Sequence, residues 1–188
     1  MSLNILLISG GNYQESLNEK LLDYVESKIE ELGQTVSRFK VYQNPLPLYC
    51  YTDEEKSGLP ETAKKVKQMM IDADAVIFAS PEYNSSLSPA LKNLIDWVSR
   101  KEESDSKRLI AYDLKTTGLL SASPGPMGGI RGLFDLRKIV SSIGMLVVPA
   151  QAAVYAENNS LDTNDAWKPR VDQVINQVIK VSKSLKNA

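Results

Sequence analysis

Short, nearly continuous apolar runs alternate with amphipathic stripes of helical spacing along this chain, and that alternation is what most narrows its choice of fold. Leu3-Asn4-Ile5-Leu6-Leu7-Ile8 ends in Ser9-Gly10-Gly11. An apolar run without alternation, closed by glycine, reads as a strand buried on both faces. Leu17, Leu21, Leu22, Val25, Ile29 and Leu32 then recur at helical spacing, with Gly33 at the C′ position. Thr35 to Val41 alternates in part, as a strand near a sheet edge does. Glu61 to about Asp72 reads as a helix, and Ala75 to Ala79 as a second buried strand. Ser88-Pro89 reads as an N-cap with proline at the first helical position, followed by the stripe Leu91, Leu94, Ile95, Val98. A strand over Thr116 to Ala122 leads to the stripe Leu133, Leu136, Val140, Ile143, which Gly144 terminates. Met145 to Val148 reads as a fifth strand stopped by Pro149, and Val171, Val174, Ile175, Val178 and Ile179 mark a closing helix.

Five strands alternating with five helices predict an α/β chain, a parallel sheet covered on both faces. Residues 1–188 show no repeat and no composition break, so the expectation is a single domain. Two stretches read as connections: Tyr42 to Pro60, with Pro45, Pro47, Gly58 and Pro60, and the solvated charge run Lys101 to Lys107.

Composition removes whole classes of chemistry. Histidine is absent, which excludes imidazole bases, histidine-ligated metals and Ser-His-Asp or Cys-His triads on this chain. No metal site is expected, because Asp72, Asp74 and Asp96 are scattered. The single cysteine, Cys50, forms no internal disulfide and reads as a packing or rim residue. It fits a reducing, cytoplasmic setting. Twenty-two basic against 23 acidic residues give a net charge of −1, arguing against a nucleic-acid-coating surface. No apolar run approaches a bilayer span, and the first residues do not read as a signal peptide.

In a parallel sheet of this kind ligands bind beyond the carboxyl ends of the strands, at the switch point. Three loops there have unusual composition: Ser9 to Asn18, Ser80 to Ser88 and Ser121 to Gly129. The first has neither the G-x-G-x-x-G nor the Walker A spacing. Its amides, with Ser16 and Asn18, suit a phosphate at a helix start. Equally, Ser16-Leu17-Asn18-Glu19 fits a capping box that needs no ligand. The second loop offers Pro81, Tyr83 and Asn84 to a flat heteroaromatic ring, or else is a turn of capping residues. The third has Gly125, Gly128 and Gly129, which permit close backbone approach.

The segment Ser80-Pro81-Glu82-Tyr83-Asn84-Ser85-Ser86-Leu87-Ser88-Pro89-Ala90-Leu91-Lys92-Asn93-Leu94-Ile95-Asp96-Trp97 resembles the signature of the NADPH-dependent FMN reductase family. Asn44-Pro45-Leu46-Pro47-Leu48-Tyr49 is similar to that family's loop after the second strand. Leu120 to Gly125, with Gly128-Gly129 and Leu136-Arg137, is similar to its fourth-strand loop and next helix. The resemblance implies a flavodoxin-like three-layer sandwich with a five-stranded parallel sheet. It implies FMN as cofactor and NADPH or NADH as donor, with electrons passed to a quinone-like or other small acceptor. It also implies a homodimer or homotetramer. Carried over residue by residue, Gly10, Ser16, Leu17 and Asn18 would hold the phosphate end. Pro81, Glu82, Tyr83 and Asn84 would flank the ring, largely through main-chain groups, and Ser121, Ser123 and Gly125 would line its other edge. Two positions depart from the family pattern: Gly11 stands for its serine and Tyr13 for its arginine, with Glu15 and Glu19 adding negative charge nearby. One missing charge-assisted contact is worth roughly 1.5–3 kcal/mol. The expectation is therefore weakened FMN binding, tightened by Gly11→Ser with Tyr13→Arg. The rival expectation is a non-enzymatic flavin-binding or interaction protein of the same fold.

Overall fold

A computed structural model describes residues 2–187. Strands β1 (Asn4–Ser9), β2 (Thr35–Lys40), β3 (Ala75–Ala79), β6 (Thr116–Ser123) and β7 (Leu146–Tyr155) form one parallel sheet in the order β2-β1-β3-β6-β7. A two-stranded antiparallel hairpin, β4 (Glu82–Tyr83) with β5 (Ser86–Leu87), stands apart. This is the flavodoxin-like order, with its switch point between β1 and β3. Helices α1 (Leu17–Glu31) and α6 (Lys168–Lys186) cover one face, and α3 (Glu61–Asp72), α4 (Pro89–Val98) and α5 (Ile130–Ser142) the other.

Alternate residues of each central strand feed the two layers. Ile5, Leu7 and Ile77 pack against Leu21 and Val25 of α1 and Val174 and Val178 of α6. Leu6, Ile8, Val76 and Phe78 pack against Val66 and Met70 of α3, Leu91 of α4 and Leu133 of α5. Because both faces are buried, the strands carry no polar alternation. The partly polar β2 lies at the sheet edge, as its pattern predicts. Among the described residues, no helix is long and apolar enough to cross a membrane.

Three expectations need correction. First, Pro149 does not stop the last strand: β7 continues to Tyr155. Between the pairs Thr117–Val147 and Leu119–Gln151, β7 carries extra residues, and Pro149 sits in that bulge. A proline's missing N–H is tolerated at a bulge on an edge strand. The freed groups find side chains: Ala150 N–H donates to Gln177 Oε1 at 2.9 Å, and Arg137 donates to Val148 O at 3.0 Å. Second, the stretch Tyr42 to Pro60 contains a short helix, α2 (Tyr51–Ser57). The extended residues before it are strapped to α4: Tyr49 N–H donates to Asn93 Oδ1 at 2.8 Å, and Trp97 Nε1 donates to Pro47 O at 2.8 Å. Third, Lys101 to Lys107 is not simply solvated. Asp105 pairs with Lys67, whose side chain is only 4% exposed, and Lys67 also donates to Arg100 O at 2.8 Å.

Candidate functional site

The carboxyl ends of β1, β3 and β6 open onto a cleft of about 180 Å³. Ser16, Leu17, Asn18, Pro81, Glu82, Tyr83 and Ser123, all singled out from sequence, line it. Tyr13, Ala122, Pro124 and Asn159 line it as well. Tyr13 stood out in the sequence only as a departure from the family pattern. Asn159 lies past β7 and is brought in by the fold, without a sequence signal.

The first wall is the start of α1. Ser16 is the N-cap, and its Oγ accepts from Asn18 N–H at 3.3 Å. Only half of the predicted capping box forms. Glu19 turns away to Arg38 at 2.9 Å and Lys40 at 3.6 Å, so its charge is neutralised away from the helix start. Glu15 lies 3.7 Å from Lys20. The buried Asn18 amide pairs with the main chain of Ala122 in both directions: Nδ2 donates to the carbonyl, and the Ala122 N–H donates to Oδ1, each at 3.0 Å. Asn18 thus stitches α1 to the end of β6 while also lining the cleft. Among the described residues, the main-chain N–H groups of Asn12 through Leu17 have no protein acceptor. Of these residues Tyr13, Ser16 and Leu17 line the cleft, and free donors at a helix start suit an anion. No lysine or arginine is among the residues that line the cleft, and the one acidic residue there, Glu82, is paired with Arg131.

The second wall is the β4–β5 hairpin. Asn84 and Ser85 have φ of 50° and 67°, so they are the two left-handed residues of a tight hairpin turn. Asn84 is not among the residues that line the cleft, and its left-handed backbone fits the turn reading. Asn84→Ala is expected to cost about 1 kcal/mol in urea unfolding, because asparagine tolerates φ > 0 better than alanine, while Asn84→Gly stays close to wild type. Equal stability of the alanine and glycine variants would contradict the turn assignment. Tyr83 reaches across the opening, its hydroxyl donating to Asn12 Oδ1 at 3.0 Å. The Glu82 carboxylate points away to α5: Oε2 accepts from Arg131 N–H at 3.0 Å and Gly132 N–H at 3.2 Å, and Oε1 from Arg131 Nε at 2.8 Å.

The third wall is the end of β6. Ser123 lines the cleft, and its Oγ accepts from Gly125 N–H at 3.1 Å. Ser121, predicted to face the ligand, is fully buried beneath Gly129 and does not line the cleft. Gly125 does not line it either, nor does Gly10. Gly10 is a packing position: its N–H donates to Ala79 O at 2.8 Å, its carbonyl accepts from Ser88 Oγ at 2.7 Å, and a Cβ there would meet Leu91 at 3.0 Å. Cys50 is exposed and outside the cleft, so it is no packing residue. Hydrogen bonding with the Thr52 hydroxyl and with the main chain of Thr52 and Asp53 holds its thiol below the ordinary value.

The structure also corrects the expected remedy for the first loop. A Cβ on Gly11 would lie 2.7 Å from Ser16 Oγ, the very atom that caps α1. Gly11→Ser is therefore expected to lower stability by about 1 kcal/mol through the displaced cap. Tyr13→Arg alone adds a cation to the cleft wall and is expected to tighten FMN binding about ten-fold at low salt, the gain shrinking as salt rises. Titration of the two single variants checks this, and tighter binding by Gly11→Ser would refute the cap argument.

The chain matches the family described as NADPH-dependent FMN reductase over residues 3–159. A quinone reductase of Pseudomonas putida is 33% identical over 174 residues, covering 88% of this chain and 87% of that protein. An NAD(P)H-dependent FMN reductase of Pseudomonas aeruginosa is 32% identical over 125 residues. That match takes in 62% of this chain and 64% of the relative, less than two thirds of its length. Among solved structures, the flavoenzyme NAD(P)H:(acceptor) oxidoreductase FerB of Paracoccus denitrificans superposes with a TM-score of 0.74 at 22% identity, covering 95% of this chain and 98% of that one. At that identity the likeness is one of fold.

Proposed function

The chain belongs to the NADPH-dependent FMN reductase family, and from that premise we propose that it is a flavodoxin-like, FMN-dependent oxidoreductase. In this reading it draws electrons from NADPH or NADH and delivers them to a quinone-like or other small acceptor. The observation that supports the reading is the start of α1, where the main-chain N–H groups of Tyr13, Ser16 and Leu17 have no protein acceptor and these residues line a cleft walled by Pro81, Tyr83 and Ser123. Bound FMN would supply the redox chemistry, hydride in from the nicotinamide and electrons out to the acceptor, so the absence of histidine is no obstacle. The protein's own tasks are binding, orientation and exclusion of water. The amides of Tyr13, Ser16 and Leu17 and the Ser16 hydroxyl would hold the phosphate. Asn18 keeps that helix start docked on β6 through Ala122. Pro81 and Tyr83 present flat surfaces for the ring.

We place the protein in the cytoplasm on its single free cysteine, Cys50. On family membership we read it as a homodimer or homotetramer, which sedimentation of the purified chain tests. The function is tested on FMN-loaded protein without oxygen. NADPH or NADH is expected to bleach the visible flavin band, and a quinone to restore it, with parallel double-reciprocal plots for the two substrates. Loaded protein whose flavin neither nucleotide reduces would overturn the enzyme reading and leave a flavin-binding protein.

A further inference from the structure

Two ladder pairs, Glu82–Leu87 and Tyr83–Ser86, are all that hold the hairpin β4–β5 to itself. So small a hairpin has little stability of its own and must be fixed from outside. The outside support is α5. Its own N-cap, Gly129, offers no side-chain acceptor to the helix's first N–H groups. The Glu82 carboxylate takes that place, accepting from the N–H groups of Arg131 and Gly132 and from the Arg131 guanidinium. Its side chain is 8% exposed, so water does little to replace these bonds. At the far strand, Ser86 Oγ donates to Asp135 Oδ2 at 2.8 Å. Gly132 lets the two lie close: a Cβ there would stand 3.0 Å from Ser86 O. The next residue after Glu82 is Tyr83, whose ring walls the cleft and whose hydroxyl reaches Asn12 on the first loop.

We infer that Glu82 is a positioning residue of the cleft: through its carboxylate, held on the start of α5, it fixes the hairpin that presents Pro81 and Tyr83 to a planar ligand. The inference rests on the flavin reading above. It assigns to the Glu82 side chain a task separate from any main-chain contact with the ring. Removing the carboxylate leaves two helix N–H groups and a guanidinium without their acceptor, and the hairpin loses its anchor while the sheet beneath keeps its core. A glutamine in its place retains one acceptor oxygen for the helix start but turns its NH₂ toward the Arg131 guanidinium.

The test is titration of apoprotein with FMN by fluorescence quenching, at a temperature far below unfolding. It is paired with hydrogen exchange of the hairpin amides in the ligand-free protein. Glu82→Ala is expected to weaken FMN binding about ten-fold, mostly through faster release. The Tyr83 to Leu87 amides are expected to exchange faster while those of β1 and β3 do not. Glu82→Gln is expected to fall between wild type and alanine, with Arg131→Ala in the glutamine background recovering part of the loss. Should the alanine variant fail to fold, the glutamine pair carries the same comparison. Wild-type FMN affinity in Glu82→Ala or Glu82→Gln, with unchanged hairpin exchange, overturns the inference. Wild-type protein that binds no FMN overturns the flavin reading instead, and the exchange measurement then judges the anchor by itself.

Discussion

Replacing Gly129 by alanine is expected to destabilise the protein by about 3–5 kcal/mol, from left-handed strain and overpacking acting together. Gly129 has φ of 89°, and a Cβ there would overlap Ser121 Oγ, which is buried and has no hydrogen-bond partner. The two contributions can be separated. Ser121→Ala alone removes an unpartnered hydroxyl and is expected to change stability by no more than about 0.5 kcal/mol. In the Gly129→Ala background the same change is expected to restore about 1–2 kcal/mol by clearing the overlap, the strain remaining. Gly128→Ala has no such remedy. With φ of 59°, its Cβ would lie 2.7–2.8 Å from the main chain of Ala153 and Val154 on β7, and no side-chain truncation moves that backbone. Urea unfolding of the four variants measures all of this. A cost below about 1 kcal/mol at Gly129 would mean that the β6–α5 loop relaxes freely. That would also undermine the anchor that Glu82 finds at the start of α5.

Lys67→Met is the second change expected to have a large effect, about 3–5 kcal/mol at neutral pH. Lys67 is buried on α3, paired with Asp105 and 3.5 Å from Glu102, and its removal leaves Asp105 buried without a cation. Burial pushes the Asp105 carboxyl upward, but the Lys67 ammonium and the Glu102 N–H outweigh it and hold the group below its ordinary value. A carboxylate depressed in the folded state adds stability above its unfolded pKa of roughly 4, and that stability is lost as the pH falls through the folded value. The wild type is therefore expected to weaken on acidification through that range. The deficit of Lys67→Met is expected to shrink over the same range, since a protonated Asp105 no longer needs a cation. A deficit that stays constant from pH 7 to pH 3 would show that lost packing of the lysine stem, not the ion pair, sets the cost.

Much of this molecule was legible as sequence because its signals are local and periodic. The buried runs at Ile5–Ile8 and Ala75–Ala79, the capped start of α4 at Ser88-Pro89 and the edge character of Thr35–Lys40 follow from which faces of a strand or helix meet water. Strand–helix alternation then leaves few topologies, and the segment from Ser80 to Trp97 carried the family. Partners distant in the chain were not legible. Nothing in the local pattern says that Asn18 pairs with Ala122, 104 positions away, or that Glu82 serves the start of α5, 49 positions on. Lys101 to Lys107 looked solvated because its charges are plain in sequence while the buried Lys67 that receives Asp105 is not. Pro149 looked like a stop because a proline's missing donor is a local fact. That the donor is not needed there is a tertiary one, decided by the bulge and the edge of the sheet. Composition and periodicity determined the layers and the end of the sheet where the candidate cleft opens. Which side chains face that ligand and which hold the walls in place was decided only by packing, since a polar side chain takes whichever partner the fold brings within reach.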